Sequence, residues 1–254
     1  MLLIPAIDLI DGQCVRLRQG DYADKTVFDT DPLAVASKWV EAGARRLHIV
    51  DLDGAKAGKP INAHIVKAIC EKYPDLPVQI GGGIRDEATV KTYLEAGVSY
   101  VIIGTKAVNE PQFINRLCKT FGGEHIIVGL DAKGNQVATE GWLNVTDLGL
   151  IELAKQFEQD GISSIIYTDI NRDGMMMGAN ADNTNTLAEA VNIPVIAAGG
   201  VHQLSDLEHL AQTTRCALEG AITGRAIYEG SLDFAEGQAL LDGLCAQPNL
   251  LGSD

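Results

Sequence analysis

Short apolar, β-branched runs recur along the chain, each followed by a stretch with helical character. Eight read as strands: LLIPAID, RLHIVDL, VQIGGG, YVIIGT, HIIVGLD, SIIYTDI, VIAAGG and ALEGAITG. A short run that is apolar throughout, rather than alternating, has both faces covered, as in a parallel sheet. The stretches between them carry helix signals, with Asp31 as a cap, Pro32 in a first turn and glycines at several C-terminal ends. Eight such units in 254 residues predict an α/β fold, a (β/α)8 TIM barrel forming a single domain over residues 1–254. A doubly wound open sheet would carry a G-x-G-x-x-G fingerprint after a strand, and the chain has none.

An internal repeat favours the barrel. IPAIDLIDG matches IVGLDAKGN, setting Asp8 against Asp131. VDLDG matches TDINRDG, QIGGGI matches IAAGGV and IIGTKAV matches AITGRAI, so Asp53, Gly83 and Gly104 fall against Asp173, Gly200 and Gly224. Offsets of 117–123 residues predict two half-barrels, about 1–122 and 123–245, with a short tail at 246–254.

Every matched pair lies at the C-terminal end of a strand, where barrels build their active sites. Gly82-Gly83 with Gly104-Thr105, and Gly199-Gly200 with Gly224-Arg225, form two equivalent glycine clusters. Such residues let backbone N–H groups approach an anion closely. One pair could serve turn geometry alone. Two pairs facing each other across the mouth predict a ligand with a phosphate at each end. Asp8 and Asp131 would project between these grips, with Asp51, Asp53, Asp169 and Asp173 nearby. Acid–base work needs a proton acceptor and a donor on opposite sides of a substrate, and clustered carboxylates shift each other's pKa values apart. Thr168 is placed to meet a substrate hydroxyl, and Trp142 to stack on a flat heterocycle or simply to pack. Arg16, Arg18 and Gly20 lie in a long loop after the first strand. With the loops after strands five and six, the latter holding Met175-Met176-Met177, it reads as a lid.

The net charge of −14 excludes nucleic acid as a natural partner, and no apolar run is long enough to span a membrane. The start has no basic region and no cleavage site, so a cytoplasmic location is expected. The five cysteines never form C-x-x-C and read as buried thiols, neither disulfide-bonded nor zinc-binding. His48 reads as core, and no histidine joins a strand-end acid. No metal or cofactor is expected, and the chemistry left is cofactor-free proton transfer on a sugar phosphate, by a monomer.

The motifs IPAIDLIDGQCVRLRQGDY, VDLDGAKAG, VQIGGGIR, VIIGTKAV, GLDAKGNQVATEGW, YTDINRDG, AAGGV and ITGRAIYEG, over roughly residues 1–240, resemble the sugar-isomerase family of histidine biosynthesis. The resemblance implies an Amadori rearrangement, aminoaldose to aminoketose, in a bisphosphorylated imidazole-carboxamide ribonucleotide. It implies that Asp8 is the base at the ribose C2 and that Asp131 or Asp173 is the acid. It also implies that Thr168 contacts the substrate and that the glycine clusters, Arg18, Gly20, Arg85 and Trp142 hold the ligand. Where the family usually has Ser and Thr, this chain has Ala198 and Met175, two hydroxyls fewer. Related readings are an isomerase that also takes phosphoribosylanthranilate, the sister cyclase of the pathway, and a non-catalytic phosphate-binding barrel.

Overall fold

The computed structural model describes residues 1–18 and 20–246, and of Arg18 the backbone alone. Most of the expected tail lies outside the described residues.

Each expected strand forms: β1 (Leu2–Ile10), β4 (Leu47–Asp51), β5 (Val78–Gly81), β6 (Tyr100–Ile103), β7 (Ile126–Lys133), β10 (Ser164–Asp169), β11 (Val195–Ala198) and β12 (Gly220–Thr223). All neighbours among these eight pair in parallel, and β12 returns to β1, so the sheet closes into a barrel. Closure explains the continuous apolar runs, because one face of each strand points into the barrel and the other meets a helix. Ile4, Ile102, Ile127, Ile166, Ile196 and Ile222 fill the interior. A larger shell of apolar side chains lies between the strands and the helices.

The helices follow in order: α1 (Pro32–Glu41), α2 (Leu52–Ala57), α3 (Ala63–Lys72), α4 (Glu87–Glu95), α5 (Thr105–Asn109), α6 (Gln112–Phe121), α7 (Leu150–Asp160), α8 (Ala181–Ala190), α9 (Leu204–Thr213), α10 (Arg225–Glu229) and α11 (Phe234–Cys245). Asp31 caps α1 as its sequence indicates, accepting from the N–H groups of Leu33 and Ala34. The last helix crosses β1 and α9 so closely that a Cβ on Gly237 would stand 2.9 Å from Leu3 Cδ2 and 3.0 Å from Leu207 Cδ1.

The structure corrects two expectations. The long loops after barrel strands one and five are ordered hairpins. β2 (Gln13–Arg18) and β3 (Asp21–Asp29) extend β1, while β8 (Gln136–Thr139) and β9 (Asn144–Gly149) extend β7. β3 and β9 alternate little and are largely exposed, so apolar patterning could not mark them as strands. The cysteines also differ from expectation. Cys14 and Cys70 are buried thiols, but Cys216 and Cys245 form a disulfide. Sequence spacing carries no sign of that pairing, because it depends on α11 folding back beside α9.

Candidate active site

The strand ends surround a cavity of about 340 Å³. Of the strand-end acids, Asp8, Asp131 and Asp173 line it. Asp8 is held by the hairpin that follows it. Asp11 and Gly12 adopt φ values of 53° and 73°, the left-handed pair of a tight two-residue turn. The turn folds β2 back so that Asp8 faces Val15. The next residue, Arg16, then places a guanidinium nitrogen 2.6 Å from the Asp8 carboxylate. The same guanidinium donates to the Ala6 carbonyl and lies 4.8 Å over the Tyr228 ring. Tyr228 donates its hydroxyl to that carbonyl as well. Asp8 therefore presents an ion-paired carboxylate in a fixed orientation.

Asp131 is anchored differently. Trp142 donates its indole N–H to Asp131 at 2.8 Å, and Thr168 stands beside it on the neighbouring strand β10. Burial nevertheless raises its pKa above the ordinary carboxylate value. Trp142 adopts a left-handed φ of 71° and covers Gly20, whose missing Cβ would sit 3.1 Å from the indole ring. The hairpins after β1 and β7 thus meet over the cavity. Among the described residues Asp173 has no comparable anchor. Burial first, then the charge of Asp8, pushes its pKa up to about 7, with Arg16 opposing and Asp131 adding. The site thus sets an ion-paired carboxylate, Asp8, against a carboxyl that holds its proton near neutrality, Asp173. That division suits general acid–base chemistry.

Asp51, Asp53 and Asp169 do not join this group. Asp51 is fully buried and accepts at 2.8 Å from the backbone of Gly54, Ile61 and Asn62 and from Asn62 Nδ2. Asp169 accepts from Asn171 N and, at 2.6 Å, from Asn180 Nδ2. Each of these two acids takes an asparagine amide from eleven residues downstream. By role, then, Asp51 corresponds to Asp169. Asp53 binds the Asp11 N–H and Asn62 outside the cavity, whereas its sequence counterpart Asp173 enters it.

The glycine clusters answer first to backbone packing. A Cβ on Gly82 would lie 2.2 Å from the Asp51 carbonyl oxygen, and one on Gly199 2.9 Å from that of Asp169. Gly83 and Gly200 press equally close on the Gly54 and Gly178 carbonyls. The φ values of all four are positive. Gly82, Gly104, Gly199, Gly200, Gly224 and Arg225 line the cavity. Gly83, Thr105 and Arg85 are not brought to its wall. Thr105 accepts from the Glu140 N–H, and Arg85 donates to the Ala55 carbonyl over the end of α2. The Arg18 side chain lies outside the described residues. Ala198 and Met176 line the wall, while Met175 and Met177 are exposed.

His48 is no core residue. It lines the cavity, bonds Gln79 at 2.9 Å, and burial lowers its pKa to about 4, so it is neutral there. Tyr228 is a second residue the sequence did not single out. Nothing local marks either one, since a strand histidine and a helix tyrosine usually pack. Among the described residues no group of three or more His, Cys, Asp or Glu is arranged to hold a metal ion.

The family model for histidine biosynthesis proteins matches residues 2–233. The chain belongs to this histidine biosynthesis family. It is 63% identical over 244 residues to the 1-(5-phosphoribosyl)-5-((5-phosphoribosylamino)methylideneamino) imidazole-4-carboxamide isomerase of Alcanivorax borkumensis, covering 96% of this chain and 99% of the relative. Isomerases of the same name from Marinobacter nauticus and Thioalkalivibrio sulfidiphilus are 62% and 60% identical, covering 96% and 95% of this chain and 99% and 100% of the relatives. Within the family frame the three cavity acids stand on barrel strands one and five and on the loop after strand six.

Proposed function

We infer that this member of the histidine biosynthesis family is the isomerase its relatives are named for, acting on the same bisphosphorylated ribonucleotide. The observation that carries the reading is the acid pair: an ion-paired Asp8 facing Asp173, whose pKa is pushed up to about 7, between two glycine-built strand-end clusters. Protonated Asp173 donates to the ribose ring oxygen. The bond from that oxygen to C1 breaks, and C1 becomes a protonated imine. Asp8 removes the proton on C2, giving an enolamine. Proton return to C1 and proton loss from the C2 hydroxyl yield the ketose, so no atom or electron is gained or lost. Arg16 fixes the Asp8 carboxylate, and Asp131 works through Trp142, which it holds over the mouth. The glycine clusters grip the two phosphates through backbone donors. Neutral His48 serves as a wall and not as a competing acid.

The reading implies a monomer in the cytoplasm with a small-molecule substrate. No described helix is long and apolar enough to cross a membrane. The test is turnover of the ribonucleotide, and of phosphoribosylanthranilate, by wild type and Asp8→Asn. Wild type should convert the first substrate, and Asp8→Asn should lose roughly 10²–10⁴-fold in kcat. Failure of wild type on the ribonucleotide would overturn the isomerase reading, and full activity of Asp8→Asn would overturn the base.

A further inference from the structure

The last β-α unit is closed by a bond that the barrel itself does not require. Cys216 sits in the turn between α9 and β12, and Cys245 is the final residue of α11. Their bond spans 29 residues, a segment holding β12, Gly224, Arg225, Tyr228 and all of α11. Two further observations bear on it. Arg215 and Cys216 both adopt left-handed backbone, with φ of 51° and 56°. Residues with a Cβ resist that conformation, and the turn holds two in succession. Both cysteines are also part-exposed, unlike the buried Cys14 and Cys70, so a small reagent can reach them.

The clasped segment leads to the site. Helix α11 is tied to β1 through Gln238, whose side chain accepts from the Leu3 N–H at 2.7 Å. Phe234 at its start packs on Trp39, and Trp39 on Tyr228. Tyr228 in turn supports Arg16, which grips Asp8. We propose that Cys216 and Cys245 are a reversible thiol-oxidation site, a redox clasp that tightens the unit carrying Gly224, Arg225 and Tyr228. The oxidant is a low-molecular-weight disulfide. One protein thiolate attacks it and releases one small thiolate, leaving a mixed disulfide. The second protein thiolate attacks the protein sulfur of that bond and releases the other. The two protons lost by the cysteines end on the two small thiols. Reduction runs the same exchange backward and frees the strained turn and the end of α11.

The experiment uses the full chain. It is exposed to oxidised glutathione or to a reductant, its free thiols are alkylated, and digests are analysed by mass spectrometry. Cys216 and Cys245 should appear as one linked peptide after oxidation and as two alkylated peptides after reduction. The oxidised form should melt roughly 5–10 °C higher, from the size of the closed loop. Cys216→Ser and Cys245→Ser should melt with reduced wild type and ignore the reductant. On the ribonucleotide, which rests on the isomerase reading, reduction should lower kcat/KM by roughly two- to fivefold. No linked peptide, equal melting of the two wild-type forms, or serine variants that still respond to reductant would overturn the clasp. Linkage and melting are read without substrate, so an inactive wild type counts against the isomerase reading alone. Should the serine variants fail to fold, the two wild-type forms still decide.

Discussion

A single proton on Asp173 links catalysis to stability. In the proposed mechanism its carboxyl must be protonated to act as acid, and its pKa stands at about 7 because burial and then Asp8 disfavour its charge. The alkaline limb of kcat/KM should therefore fall about tenfold per pH unit above roughly pH 7, and Asp173→Asn should abolish that limb with most of the activity. A flat profile through pH 7–9 would remove Asp173 from the role. The linkage has a definite sign. The folded pKa lies above the unfolded one, so the folded state holds the proton longer. The stability contribution is complete below about pH 4 and is lost as pH rises toward 7. At pH 8 Asp173→Asn should therefore melt higher than wild type, while at pH 4 the two should nearly coincide. Asp131 is raised too, but it accepts the Trp142 indole, and the proposed mechanism gives it a positioning role. The sequence offered both acids without ranking them, because the ranking depends on which side chain receives the indole.

Two elements show different kinds of constraint on the same site. The hairpin after β7 carries Trp142 across to Gly20, where its indole donates to Asp131. Trp142→Phe keeps the ring and deletes the donor, so KM should rise about tenfold while the fold persists, a loss on the scale of one hydrogen bond to a charged group. Steady-state kinetics measure this, and an unchanged KM would show that the bond does not set the lid. The turn after β5 is constrained by backbone contact. Gly82→Ala would drive a Cβ to 2.2 Å from the Asp51 carbonyl oxygen at a φ of 100°, costing roughly 3 kcal/mol or more. Gly230→Ala has a φ of 77° and nothing within 4 Å, so it should cost only about 1 kcal/mol. Denaturant melts of the pair separate collision from backbone preference. Glycine at such strand ends was legible in the sequence as close approach. That the first thing approached is the protein's own backbone was not.

Across the whole molecule the barrel divides its labour between its ends. The mouth carries the acids, while the opposite end is closed by an ion pair between Arg46, just before β4, and Glu219, just before β12. Their atoms lie 2.6 Å apart, Arg46 is buried, and its guanidinium stacks 4.6 Å from the Tyr100 ring. Glu219→Gln leaves a buried cation without its counter-charge and should destabilise the fold by about 3–5 kcal/mol. At a temperature where the variant remains folded, kcat and KM should be unchanged. A selective loss of activity in folded protein would show that the two ends are coupled. The eight strands, the barrel and the acids at Asp8, Asp131 and Asp173 were readable in order of sequence, because apolar period and strand-end position are local properties. The D-G turn that brings Arg16 back to Asp8 is local too, but the stretch after it read as a loop, because the exposed strand β3 carries no apolar pattern. Everything that depends on which parts of the chain meet was decided by the tertiary structure. Closing the barrel turned His48 inward, buried Asp51 and Asp169 among backbone donors, sent Arg85 to Ala55, and brought Cys245 to Cys216. The physical reason is that a carboxylate's pKa, a thiol's partner and a lid's latch are set by neighbours distant in sequence.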